Sequence, residues 1–300
     1  MKDIYNLKIK VARDFEVQGK LLHAAQVYIS ILNEYPDFTD AYFSLANLYE
    51  LMGKIKPGIE LLENFLDRNP KDYDVRFFLG QYLLRNSMWD EAVKILSFIS
   101  PQENLMVSFF IGYSYFMLEE YELAEINFKN FISLNDKGDF LHEAYIYMAK
   151  IELYLERYES ALDYAKKAEV LYSSFWELNL ICAEIYYKTD MTAHALKEIE
   201  KAIKLKPQEP AVRKLAGYIC LQAKEYLRAE KQFLKFIEYK EDVSFDIYIK
   251  LAEICLKVEK IKNALIYYDI ALKIEPKNPL AIVGKKKASL ILKNIVANDG

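Results

Sequence analysis

The chain has 300 residues, 53 % of them hydrophobic and 28 % charged, with 40 Lys+Arg against 44 Asp+Glu and only 9 Gly and 8 Pro. Apolar content this high with so few chain breakers excludes disorder and collagen-like character, and it argues against a turn-rich all-β protein. The acidic balance argues against a general nucleic-acid binder, and three cysteines cannot pair completely and suit a reducing compartment. Nothing in Met1–Lys8 resembles the apolar centre of a secretion signal, and no apolar run approaches the roughly 18–20 residues that cross a bilayer. The expectation is a soluble, cytoplasmic chain. Charge is uneven, with 15 Lys+Arg against 22 Asp+Glu in residues 1–150 and 25 against 22 in residues 151–300.

Taken in chain order, the elements repeat. Aligning Pro36, Pro70, Pro207 and Pro276 places window starts at Tyr5, Thr39, Tyr73, Leu105, His142, Trp176, Pro210 and Phe245, which are 32 to 37 residues apart. The eighth position holds Ala12, Ala46, Gly80, Gly112, Ala149, Ala183, Gly217 and Ala252; the twentieth holds Ala24, Gly58, Ala92, Ala124, Ala161, Ala195, Ala229 and Ala264. Sixteen small residues out of sixteen is far beyond chance in a chain with 26 Ala and 9 Gly. Each window carries two amphipathic helical patterns, with apolar residues three and four apart. Two helices approach to about 8–10 Å only where short side chains meet, and an Ala or Gly on each supplies that crossing. Gly19 and Gly53 fall in the turn between helices, and the recurring proline closes the second helix.

The third window is short, ending around Ile99-Ser100-Pro101, and the fourth is long, with an extended loop over Asn135–Asp139. After Pro279, residues 280–296 are expected to form one further helix. Leu280, Val283, Leu290 and Ile291 would face inward, with Lys285–Lys287 and Lys293 outward as a polar cap.

This pattern resembles the tetratricopeptide repeat, a 34-residue helix–turn–helix with small residues at positions 8 and 20 and proline at 32. The tryptophan favoured at position 4 is absent, replaced by Tyr42, Tyr145, Tyr248 or polar residues. The resemblance implies an all-α, right-handed α-solenoid of about eight units, at 5–38, 39–72, 73–104, 105–141, 142–175, 176–209, 210–244 and 245–278, with a capping helix, as one domain. It also implies a concave wall built from positions 2, 5, 6, 9, 12 and 13 of each first helix. A two-carboxylate clamp known on that wall is not matched in the first three windows, where Ile9, Arg13, Ser44, Asp74 and Phe78 stand at its places.

The wall is expected to be aromatic instead. Phe43, Phe77 and Phe109 stand at position 5, Phe78, Phe110 and Tyr147 at position 6, Tyr113 at 9, Phe116 and Tyr187 at 12, and Tyr154 at 13. Asn47, Gln81 and Lys150 at position 9 would supply polar contacts between the rings. Aromatic side chains dominate interface hot spots, so the expected function is a non-catalytic adaptor or scaffold accepting an amphipathic helix or an extended apolar peptide. The alternatives are a self-assembling scaffold and the regulatory arm of a larger complex. No phosphate-binding glycine loop occurs; His23, His142 and His194 are scattered; Cys182, Cys220 and Cys255 fall on packing stripes. No cofactor, metal, nucleic acid or membrane is expected, and no catalysis.

Overall fold

In the computed structural model, which describes residues 2–135, 138–172, 175–240 and 242–298, all regular structure is helical. The helices run in pairs: α1 (Lys2–Val17) with α2 (Leu21–Glu34), α3 (Thr39–Leu51) with α4 (Ile55–Arg68), α5 (Tyr73–Arg85) with α6 (Trp89–Leu96), and α7 (Met106–Met117) with α8 (Tyr121–Leu134). Then follow α9 (Leu141–Tyr154) and α10 (Tyr158–Leu171), α11 (Trp176–Lys188) and α12 (Thr192–Leu205), α13 (Pro210–Gln222) and α14 (Tyr226–Tyr239), α15 (Phe245–Lys257) and α16 (Ile261–Ile274), and a single α17 (Pro279–Asn298). The fold is an all-α solenoid of stacked helix pairs. Contacts divide it into two compact halves, Met1–Ile151 and Glu152–Gly300.

Within the first half, each helix from α1 to α7 packs on the next, and within the second half each helix from α10 to α16 does the same. First helices of successive repeats also touch, α3 with α5 and α5 with α7 in one half, α11 with α13 in the other. The crossings sit where the small residues recur: a Cβ on Gly80 would lie 2.3 Å from the buried Leu96 side chain, and one on Gly217 would lie 2.5 Å from the Phe233 ring. Nothing larger than hydrogen fits there without moving a core side chain.

Every turn between paired helices is built alike. The fifteenth residue of each repeat has positive φ, and the N–H of the sixteenth donates to the carbonyl of the eleventh. That bond, from Lys20 to Phe15 through Lys260 to Cys255, is 2.8–3.0 Å in all eight repeats. This is the Schellman closure of a helix end. The missing position-4 tryptophan also has an explanation. Tyr42 Oη donates to the Pro36 carbonyl at 3.0 Å, Arg76 Nη2 to that of Pro70 at 2.9 Å, and Arg213 Nε to that of Pro207 at 2.7 Å. A long polar side chain ties each of these first helices to the proline that closes the preceding repeat.

The short third repeat comes from α6, which has 8 residues where the other paired second helices have 14. Ser97 Oγ bonds back to the Val93 carbonyl, Pro101 disfavours helix at the residue before it, and buried Ile99 fills the space the missing turn leaves. Of the expected 135–139 loop, Asp136 and Lys137 lie outside the described residues. Asn135 closes the loop with its own side chain, donating to the Asp139 carbonyl and accepting from Gly138 N–H.

The capping helix differs from expectation in the face it buries. Leu280, Val283 and Leu290 are 67 %, 65 % and 61 % exposed, while Ala281 and Ala288 are fully buried. The cause is the close approach of α16: a Cβ on Gly284 would lie 2.3 Å from the Tyr268 ring, so the contact stripe is small residues rather than leucines. Ile291 does pack against this core, together with Leu292.

Candidate functional site

The first helices of the first half carry a ladder of paired rings. Phe43 on α3 stacks on Phe78 of α5 with ring centres 4.3 Å apart. Phe77 of α5 meets Phe110 of α7 at 5.7 Å, and Phe109 of α7 meets Tyr147 of α9 at 6.2 Å. Each rung joins position 5 of one repeat to position 6 of the next, because adjacent first helices touch there. Phe43, Phe77, Phe78, Phe110, Tyr113, Phe116 and Tyr147 are all half-buried, so each ring keeps part of its surface for water or a ligand.

Phe109 stands apart. It is buried, ringed by Phe110, Phe128, Phe131, Phe140 and Tyr147 within 6.2 Å, so its place is in the core beneath the wall. Tyr147 is the junction of the upper ladder, stacked on Phe128 at 5.3 Å and edge-on to Tyr113 and Phe116, with Lys150 Nζ 5.3 Å from its ring centre. Trp89 of α6 packs edge-on against Tyr113. Gln81 is half-buried on α5.

The polar part of this wall centres on a residue outside the expected set. Arg85, at the end of α5, donates from Nη2 to Asn47 Oδ1 at 2.9 Å and to Glu50 Oε2 at 2.9 Å, and its guanidinium lies 5.8 Å from the Phe78 ring centre. Asn86 adds a bond to Glu50 Oε1 at 3.0 Å. Asn47 is thereby held in place by the next repeat. Arg85 and Glu50 occupy wall positions 13 and 12, so position alone carried the signal.

In the second half, Tyr154 is exposed at the end of α9, and Tyr187 lines an open cleft of about 360 Å³ between α11 and α13. Leu180, Glu184, Lys188, Lys214, Leu215 and Tyr218 also line it. These again stand at positions 5, 9 and 13 of one repeat and 5, 6 and 9 of the next, without the density of rings that marks the first half. Burial pushes the Glu184 carboxyl above its ordinary range, partly countered by Lys188. The Tyr218 phenol is pushed up to about 12 by burial and by Asp246, which accepts its hydrogen bond at 3.1 Å.

The nucleophile and metal candidates are spoken for. Burial pushes the thiols of Cys182, Cys220 and Cys255 up to about 12, 11 and 11, which keeps them protonated. His23 lies against Phe15 and His194 against Tyr186, the same contact in two repeats. Among the described residues no group of His, Cys, Asp and Glu gathers to hold a metal, and no helix is long and apolar enough to cross a membrane.

Stacked helix pairs whose first helices touch from repeat to repeat define a helical-repeat solenoid. Residues 52–97 and 245–278 each match a family model described as the tetratricopeptide repeat. These two stretches are tetratricopeptide repeats, and the repeat pattern they belong to recurs along the chain. The chain is 23 % identical, over 91 % of its length and 54 % of the relative's, to the DnaJ homolog subfamily C member 3 of Gallus gallus. It thus spans about half of that curated relative. Among solved structures it is similar to the APC/C hetero-tetramer Cut9–Hcn1, with a TM-score of 0.61, 16 % identity, and coverage of 96 % of this chain and 56 % of that one. It is also similar to pilF of Pseudomonas aeruginosa, with a TM-score of 0.60, 14 % identity, and coverage of 72 % and 96 %. At these identities the likeness is one of fold.

Proposed function

We propose that this protein is a non-catalytic adaptor that holds a partner protein by an amphipathic helix or extended apolar segment laid along the aromatic wall of its first half. The observation that carries this reading is the ladder itself: a row of half-buried rings paired across successive repeats. Rings held against one another present a flat apolar surface at little cost in side-chain entropy, which is what an interface anchor needs. The partner segment bears apolar side chains toward Phe43, Phe78 and Phe110, and positive charge at its edges to match the acidic first half. Phe43→Ala with Phe78→Ala tests the reading by affinity capture from native lysate, compared with the parent. The expected result is loss of the parent's bound protein with the helical circular dichroism spectrum retained. Capture of the same protein by both forms would overturn it.

A self-assembling scaffold is the second reading, favoured by one observation. Positions 3 and 7, buried in the second repeat at Ala41 and Leu45, are 63 % and 41 % exposed in the first at Leu7 and Val11. There they line an apolar cavity of about 400 Å³ with Phe15 and Val27.

A further inference from the structure

The first repeat departs from the others at the positions that face a preceding repeat. Positions 3 and 7 are buried at Val75 and Leu79, at Val212 and Ala216 and at Ile247 and Leu251, where the second helix of the repeat before packs on that first helix. In α1 the same positions are the exposed Leu7 and Val11. Position 10, buried at Leu48, Tyr82 and Ile254, is the exposed Asp14. Leu7, Val11 and Asp14 are four and three residues apart and share one stripe of α1; Lys10, also exposed, flanks that stripe one turn before Asp14. The cavity beside the stripe is lined by Leu7, Val11, Phe15 and Val27, with Gln26 and Ser30. An apolar centre with polar groups at its edge is the make-up of an interface, whereas a solenoid end that meets only water carries a polar outer face.

We propose that this face joins two copies of the chain, with α1 of one lying antiparallel on α1 of the other about a two-fold axis level with Ala12. The charges choose the occupant. Lys10 and Asp14 stand equally far on either side of Ala12, so an antiparallel second α1 brings the lysine of each copy to the aspartate of the other. A parallel second α1 would set lysine on lysine and aspartate on aspartate. The surface is thus its own complement in charge, and Leu7 and Val11 of each copy cover the apolar cavity of the other. The proposal rests on the self-association reading, to which it gives an interface, and it leaves the aromatic wall free for a partner protein.

The test is sedimentation equilibrium of the full chain at low salt, from about 1 to about 200 µM, the range that resolves a micromolar dimer. The parent is expected to pass from monomer to a species of twice the mass and no further. Leu7→Glu with Val11→Glu is expected to stay monomeric throughout with circular dichroism unchanged, since both side chains are exposed. Lys10→Glu and Asp14→Lys, each alone, set like charges together twice per dimer and are expected to weaken it roughly tenfold. Mixing these two single variants restores opposite charges at both contacts, so a dimer of about the parent's strength is expected to return. A charge effect confined within one helix would not be rescued by mixing. A parent that stays monomeric would overturn the proposal together with the self-association reading. A dimer that survives Leu7→Glu with Val11→Glu, or is lost in Phe43→Ala with Phe78→Ala, would keep that reading and overturn this face. Growth beyond two copies, or charge variants that mixing does not rescue, would overturn the antiparallel pairing.

Discussion

The fifteenth residue of each repeat shows how much strain this fold tolerates for the sake of a uniform turn. Gly19 and Gly53 adopt φ of 72° and 70°, which glycine does freely, but Ser87, Glu119, Glu156, Asp190, Lys224 and Glu259 hold φ between 57° and 62°. For residues with a Cβ, that conformation costs about 1–2 kcal/mol. It persists together with the bond from the following N–H to the carbonyl of position 11, which is made in every repeat. Replacing Lys224 or Glu259 with glycine removes the strain at the expense of some unfolded-state entropy. Each substitution is expected to stabilise the protein by about 0.5–1 kcal/mol, measured as a higher thermal midpoint. A lower midpoint would mean that the side chain makes a contact worth more than the strain.

At the scale of helices, the spacing between elements is set by what stands at positions 8 and 20. Gly217 on α13 faces the ring of Phe233, which is fully buried. Gly217→Ala gains helix propensity of about 1 kcal/mol but drives a Cβ into that ring. Overpacking of a rigid core site costs about 1–3 kcal/mol, so the net expectation is a loss of stability, seen as a lower urea midpoint with the helical spectrum retained. The same logic separates what was legible in the sequence from what was not. Sixteen small residues in step make helix pairs inescapable, and the first helices of repeats two, three, six, seven and eight begin at the window starts. The inward face of α17 was hidden because leucines are the ordinary sign of a buried stripe. Here the Tyr268 ring comes so close that no Cβ fits at Gly284, and the fully buried residues of this helix are Ala281 and Ala288. The left-handed turns were visible at the two glycines alone, since nothing in Glu119 or Lys224 announces positive φ.

For the molecule as a whole, helix packing explains the repeat, and the first helices of the first half carry the half-buried rings on which the proposed function rests. The places of the rings along the first helices were readable from the period. Which rings sink into the core was not, because that depends on the neighbouring repeat. Phe109 and Phe110 are adjacent in sequence, yet Phe109 is enclosed by four other repeat-four and repeat-five rings while Phe110 keeps an open edge. Arg85 became part of the wall only through Asn47 and Glu50 on the preceding pair.

The central claim is that the ladder rings are surface held ready for a partner rather than interior. Phe78 and Leu79 are neighbours on α5, one half-buried on the wall and one fully buried. Urea unfolding of Phe78→Ala and Leu79→Ala, followed by circular dichroism, compares them directly. Leu79→Ala is expected to cost about 2–5 kcal/mol, as buried leucines do, and Phe78→Ala no more than about half as much. A loss for Phe78→Ala equal to or greater than that for Leu79→Ala would place the ring in the core and contradict the account.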